Sequence, residues 1–233
     1  RSDTNSLHAD LMFEIPVRLA TGPTNSEVVI SVPDVSGELW KQAGQHGDIA
    51  PEWMSALDDA SGALLFVRVL SSANPAPLDW VNAAEFLSWA DGDDEGRGEE
   101  HLQVPAQVAL CELLRFLDEK LDRLDGQRPR VAILITAWDL VDGERQANGP
   151  KAYLKQEFPL FAGRLADCDS LDVRVFGVSV VGGDFEDPDF KTEFQEGDVA
   201  EMGYVTVDTD TGTQKIVDVT LPVAWVVEPL FDD

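Results

Sequence analysis

The sequence predicts an α/β fold in which a mostly parallel sheet is flanked by helices. Between residues 62 and 181, apolar runs of strand length alternate with amphipathic helical segments, which is the order of βαβ units. Hydrophobic residues make up 44% of the 233 residues, enough to form one sizeable core. We therefore expect a single domain spanning 1–233, with insertions at about 72–105 and 184–219.

The first part of the chain predicts a strand pair and then a buried strand. Residues 11–20 (LMFEIPVRLA) alternate in polarity, and EVVISV at 27–32 follows a short turn, which predicts a hairpin. GALLFVRVL at 62–70 is almost continuously apolar, as is typical of a strand buried on both faces of a parallel sheet. The following segment, 72–105, contains prolines and an acidic run and is interpreted as the first insertion.

The second part of the chain predicts further helices and strands, each from its periodicity and its flanking Pro or Gly residues. In order they are a helix at 105–126, a strand at 130–135, a helix at 151–166, a strand at 171–181, an acidic loop at 184–200, a hairpin across 204–219 and a helix at 221–227.

The net charge of −27 restricts the classes of partner. With 17 Lys and Arg against 44 Asp and Glu, the surface repels nucleic-acid phosphates and anionic lipids, so we expect no binding to nucleic acid or membrane. Cys111 and Cys168 form no CxxC pair, which fits a reducing cytoplasm. No apolar run reaches the ~18 residues needed to cross a bilayer. The sequence therefore predicts a cytoplasmic protein.

Polar residues collect where the predicted strands end. Open α/β sheets bind ligands at the carboxyl ends of their strands, so this clustering predicts a ligand site. The residues are Asp34, Gly37, Ser71, Thr136, Asp139 and Ser179.

Two sequence motifs that contain these residues resemble motifs of a known protein family. DVSG at 34–37 has the DxxG form of Ras-like GTPases, and TAWD at 136–139 takes the place of their [NT]KxD motif. With a DxxGE turn, a TAWD-type base motif and a Pro-x-x-Trp helix near the end, the chain resembles the bacterial double-GTPase families of conflict and defence systems. The resemblance covers about 11–70 and 106–227. It implies a Ras-like P-loop GTPase topology.

The resemblance implies roles for the residues around the DxxG motif. Asp34 would hold Mg²⁺ through water, and Thr4 is a candidate second metal ligand. The amide of Gly37 would meet the γ-phosphate, which only a residue without a side chain can approach so closely. Glu38 takes the place of a catalytic Gln and would orient the attacking water. The alternative at this motif is ordinary turn chemistry.

The resemblance also implies roles for the residues that would bind the guanine base. A carboxylate at Asp139 can accept hydrogen bonds from guanine N1 and N2, and Thr136 opens the same motif. Ala137 stands where the family has a Lys that packs along the base. Ser179 falls where the SAK motif has its Ser, although a hydroxyl satisfied within the loop also explains it. The implied ligands are GTP or GDP with Mg²⁺, and the implied role is a GTPase-like switch coupled to partner proteins in a bacterial multi-protein system.

The phosphate-binding loop G-x-x-x-x-G-K-[ST] does not occur in the sequence, which contains no Gly-Lys dipeptide. The strand that precedes this loop lies in the middle of the sheet in Ras-like proteins, and it is missing as well. Without it, apolar strand edges would be exposed. We therefore expect that the native protein extends upstream of Arg1 and that an upstream segment supplies the loop.

Two other interpretations remain open. A pseudo-GTPase would keep the fold as an interaction module without binding nucleotide. A von Willebrand A-like domain would use DVSGE at 34–38 as a DxSxS-type metal site and bind a partner through Mg²⁺. GTP hydrolysis is expected only if an upstream segment carries the phosphate-binding loop.

Overall fold

The computed structural model describes residues 11–18, 27–34, 57, 60–71, 74, 105–123 and 126–228. The strands are β1 (Leu11–Arg18), β2 (Glu27–Asp34), β3 (Gly62–Arg68), β4 (Arg130–Thr136), β5 (Asp172–Ser179), β6 (Tyr204–Thr209) and β7 (Gly212–Ile216). The helices are α1 (Ala106–Lys120), α2 (Gly143–Asn148), α3 (Pro150–Glu157), α4 (Pro159–Ala166), α5 (Pro188–Glu196), α6 (Val199–Met202) and α7 (Leu221–Val227), with a 3₁₀ helix at Trp138–Leu140.

The predicted strand pair is confirmed. β1 and β2 form an antiparallel two-stranded sheet whose register runs from Leu11 opposite Asp34 to Arg18 opposite Glu27. Pro16 is accommodated in β1 because a strand at the edge of a sheet does not need every backbone N–H for pairing.

The main sheet is mixed, so the prediction of a mostly parallel sheet was wrong. Its order is β3-β4-β5-β6-β7. β3, β4 and β5 are parallel, whereas β6 is antiparallel to both β5 and β7. The alternation of strands and helices used for the prediction ends near residue 181. The other two strands, β6 and β7, come from the segment 184–219, where they form a hairpin whose first strand pairs antiparallel with β5.

β3 lies at one end of the main sheet in the described part of the chain. The prediction that its run is buried on both faces was therefore wrong at Phe66, whose side chain is 63% exposed, although Val67 is buried. The sequence pattern of a fully buried strand and that of an apolar end strand are the same.

The predicted helix at 151–166 consists of two helices. α3 ends before Phe158, whose backbone is non-helical at φ −130° and ψ 55°, and α4 begins at Pro159. Proline has no backbone N–H and disfavours helical conformation in the residue before it, so the break follows from Pro159. Phe158 and Phe161 are both buried, which fixes the two helices on the core.

The core has two layers on either side of β4, whose residues alternate between them. On one face, Val131, Ile133 and Ile135 pack with buried residues of α1, α3 and α4. On the other face, Ala132 and Leu134 pack with Trp225 of α7 and with buried residues of β5 and β6. The chain is thus an α/β protein with a five-stranded mixed sheet flanked by helices.

The segment predicted as the second insertion is ordered into secondary structure. The acidic loop expected at 184–200 contains α5, so that part of the prediction was wrong, whereas the predicted hairpin is confirmed as β6 and β7. The first predicted insertion, 72–105, lies outside the described residues except for Asn74 and Pro105. None of the helices in the described ranges is long and apolar enough to cross a membrane.

Candidate functional site

A pocket of about 320 Å³ opens at the carboxyl ends of the neighbouring parallel strands β4 and β5. This is the position at which α/β sheets bind ligands, and the volume is at the lower end of small-molecule sites. The pocket is lined by Thr136, Ala137, Asp139, Leu140, Val178, Val180, Val181, Gly183, Asp184 and Phe185.

The TAWD segment turns sharply after β4. Ala137 adopts the left-handed conformation at φ 57° and ψ 42°, and the 3₁₀ helix begins at the next residue. Trp138 is fully buried, with its ring at 5.5 Å from that of Tyr153 in an edge-on arrangement. Asp139 is only half-buried and lines the pocket. The tryptophan therefore anchors the segment in the core while the aspartate remains accessible.

The Asp139 carboxylate has unused hydrogen-bonding capacity. Among the residues that the structure describes, none forms a hydrogen bond or ion pair with it. The pKa of Tyr204 is raised mainly by burial of the side chain and, to a smaller extent, by the negative charge of Asp139. A half-buried carboxylate with no protein partner is suited to accept hydrogen bonds from a ligand.

Ser179 holds the loop after β5. Its side chain is fully buried, and its Oγ accepts a hydrogen bond from the backbone N–H of Gly182 at 2.8 Å. The hydroxyl thus has a structural partner inside the loop, beside residues that line the pocket. A contact between Ser179 and a nucleotide stays a prediction.

Gly182 gives the same loop its shape. Its φ is +93°, and a Cβ atom there would lie 2.1 Å from the backbone oxygen of Met202. We expect Gly182→Ala to lower the free energy of unfolding by more than about 2 kcal/mol, since it adds a clash with backbone to the ~1–2 kcal/mol of left-handed strain. Chemical denaturation measures this loss.

Gly126 provides the matched control. Its φ is +75°, but none of the described residues has an atom within 4 Å of an added Cβ. Gly126→Ala should therefore cost only the backbone strain of about 1–2 kcal/mol. An equal loss in the two variants would contradict the steric role of Gly182.

Three phenylalanines form an aromatic trio beside the pocket: Phe185, Phe190 and Phe194. The ring of Phe185 lies 4.9 Å from that of Phe194, edge-on, and 5.7 Å from that of Phe190. Gly183 allows this packing, because a Cβ atom there would be 2.6 Å from the Phe190 ring. Sequence reasoning assigned no role to Phe185. The spacing of Phe190 and Phe194, one helical turn apart in α5, was the available signal.

The structure brings together only part of the predicted site. Thr136 and Asp139 line one pocket, and Ser179 ends the adjacent strand. Asp34 is the last residue of β2, where its backbone is opposite Leu11. The remaining predicted residues lie outside the described part of the chain: Thr4, Gly37 and Glu38.

A metal site is not seen in the described ranges, which contain no group of three or more His, Cys, Asp or Glu residues arranged to hold an ion. The predicted Mg²⁺ ligands Asp34 and Thr4, and the catalytic role of Glu38, stay predictions.

A family model described as Double-GTPase 1 matches residues 3–226, which is nearly the full chain. No curated protein and no solved structure matches the sequence. The match includes β1 to β7 and both segments that line the pocket, so this chain belongs to the Double-GTPase 1 family.

Proposed function

We propose that the chain is a GTPase-like domain that binds a guanine nucleotide, with the base in the pocket at the ends of β4 and β5. The observation that carries the proposal is the Asp139 carboxylate, which lines this pocket without a protein partner among the described residues. Family membership supports the same class of ligand.

The chemistry of the pocket favours guanine over adenine. Guanine presents two neighbouring donors, N1–H and the N2 amino group, and both oxygens of the Asp139 carboxylate can accept from them. Adenine has an acceptor at N1 and no amino group at C2, so it leaves the carboxylate unpaired. Apolar residues of the pocket, including Val180 and Leu140, would cover the base.

We further infer a Ras-like arrangement of the strands, supported by the antiparallel pair that precedes three parallel strands carrying the pocket. In this proposal Asp34 and Thr4 hold Mg²⁺, Gly37 meets the γ-phosphate and Glu38 orients water. The domain then acts as a switch in a bacterial multi-protein system of the conflict or defence type. Partner binding that differs between GTP and GDP forms would support the switch.

Titration of the full-length protein with fluorescent mant-GTP, with and without Mg²⁺, tests the proposal. We expect saturable binding that is strengthened by Mg²⁺ and displaced by unlabelled GTP and GDP but not by ATP. Equal competition by ATP and GTP, or no binding of either nucleotide, would contradict it. Mg²⁺-dependent binding of a protein without nucleotide would instead favour the von Willebrand A-like interpretation.

A further inference from the structure

Phe185 is an exposed aromatic residue held in a fixed position at the pocket. Its side chain is 47% exposed, yet its ring packs against two other rings of the aromatic trio. Of the described residues that line the pocket, it is the one aromatic. An aromatic face that is supported by its neighbours and open toward a cavity is suited to stack on a planar ligand.

The other residues of the pocket restrict what can lie against Phe185. Asp139 and Asp184 both line the cavity, and two carboxylates repel a phosphate group. The Asp139 carboxylate needs hydrogen-bond donors. The occupant must therefore combine a flat apolar face with donors along its edge, which describes a guanine base rather than the triphosphate.

Ala137 leaves room for such a stacking partner. Its methyl side chain lines the pocket but is too short to lie along a purine ring. The segment after β5 supplies a larger apolar surface than Ala137 does, because it places the ring of Phe185 at the pocket. Phe190 and Phe194 of α5 pack against this ring and hold it in place.

We propose that Phe185 is the residue on which the guanine base stacks, with α5 as its support. The inference rests on the proposed function and adds to it a contact that contributes affinity rather than base discrimination. Phe185 would contact the flat face of the base by stacking, whereas Asp139 would accept hydrogen bonds from its edge. The two contacts therefore make separable contributions to nucleotide affinity.

The test compares Phe185→Ala and Phe185→Leu with the wild-type full-length protein, using GTP and ITP. Loss of base–aromatic stacking should weaken binding about 5- to 100-fold in both variants. Inosine lacks the N2 amino group but keeps the ring face, so GTP and ITP should lose affinity by the same factor. Phe185→Tyr should restore binding. Phe185→Leu keeps an apolar contact with α5, so its melting temperature should stay near that of the wild type.

The matched control is Phe66→Ala, which removes another exposed phenylalanine, located on β3 and outside the pocket lining. Its nucleotide affinity should be unchanged. If the wild type binds GTP while Phe185→Ala and Phe185→Leu bind within about twofold of it, the stacking role is wrong and the proposed function stands. If the wild type binds no guanine nucleotide, both proposals are wrong.

Discussion

Replacing Asp139 with asparagine is expected to reverse the base preference of the protein from guanine to xanthine. The asparagine amide offers a donor where guanine also presents one, its N2 amino group, so one hydrogen bond becomes a clash of donors. Xanthine carries a carbonyl at this position and can accept. Losing one hydrogen bond to a charged group, worth about 1.5–3 kcal/mol, creating a donor clash in its place and weakening the bond to N1–H together predict a loss of GTP affinity of about 100-fold or more.

Competition of GTP and XTP for bound mant-GTP or mant-XTP measures this reversal. The matched control is Asp210→Asn, which makes the same change of charge and shape at an exposed residue of the β6–β7 turn. That turn lies at the opposite end of the sheet, since Tyr204, the first residue of β6, is the one that pairs with Ser179. Unchanged GTP affinity in Asp139→Asn would show that Asp139 does not bind the guanine base.

Removing the indole of Trp138 is expected to give the largest loss of stability. The ring is fully buried, contacts Tyr153 edge-on and lies against the backbone of Gly177, where an added Cβ atom would be 2.6 Å from the ring. Gly177 has no side chain that could fill the space. Trp138→Ala should therefore cost about 3–5 kcal/mol. At about 2–4 °C per kcal/mol, this lowers the melting temperature by roughly 6–20 °C.

Two further variants separate the packing of Trp138 from other effects. Leu140→Ala changes a 42% exposed residue of the same 3₁₀ helix and should cost less than about 1 kcal/mol. Trp138→Phe should keep most of the stability, because the indole Nε1 has no hydrogen-bond partner in the described structure. Calorimetry that gives equal melting temperatures for Trp138→Ala and Leu140→Ala would contradict the anchoring role of Trp138.

The sequence was sufficient to predict the parallel half of the fold. The apolar runs at 62–70 and 130–135 predicted strands because of their length and because Gly, Pro or polar residues bound them. In the structure they form β3 and β4, which pair in parallel. The pairing of β1 with β2 was also predicted, from the polarity of the two segments and the Gly and Pro residues between them. These features are local in the sequence, which is why pattern alone identifies them.

Long-range features could not be predicted in the same way. Whether β6 joins β5 parallel or antiparallel depends on where the connection 180–203 returns, and no local pattern encodes this. At the site, the TAWD motif singled out Thr136 and Asp139, and both residues line one pocket. Phe185 was not among the predicted residues because its place at the pocket depends on tertiary contacts with Phe190 and Phe194.

The antiparallel direction of β6 has a consequence for how this family can change during evolution. Ser179 and Tyr204 are paired, so the connection 180–203 leaves and re-enters the sheet at adjacent positions. The entropy of closing such a loop rises by only about 0.6 kcal/mol for each doubling of its length. Changes of length in the exposed parts of this connection therefore need not shift the register of β5 and β6, and those beside Phe185 would alter the wall of the pocket that contains it.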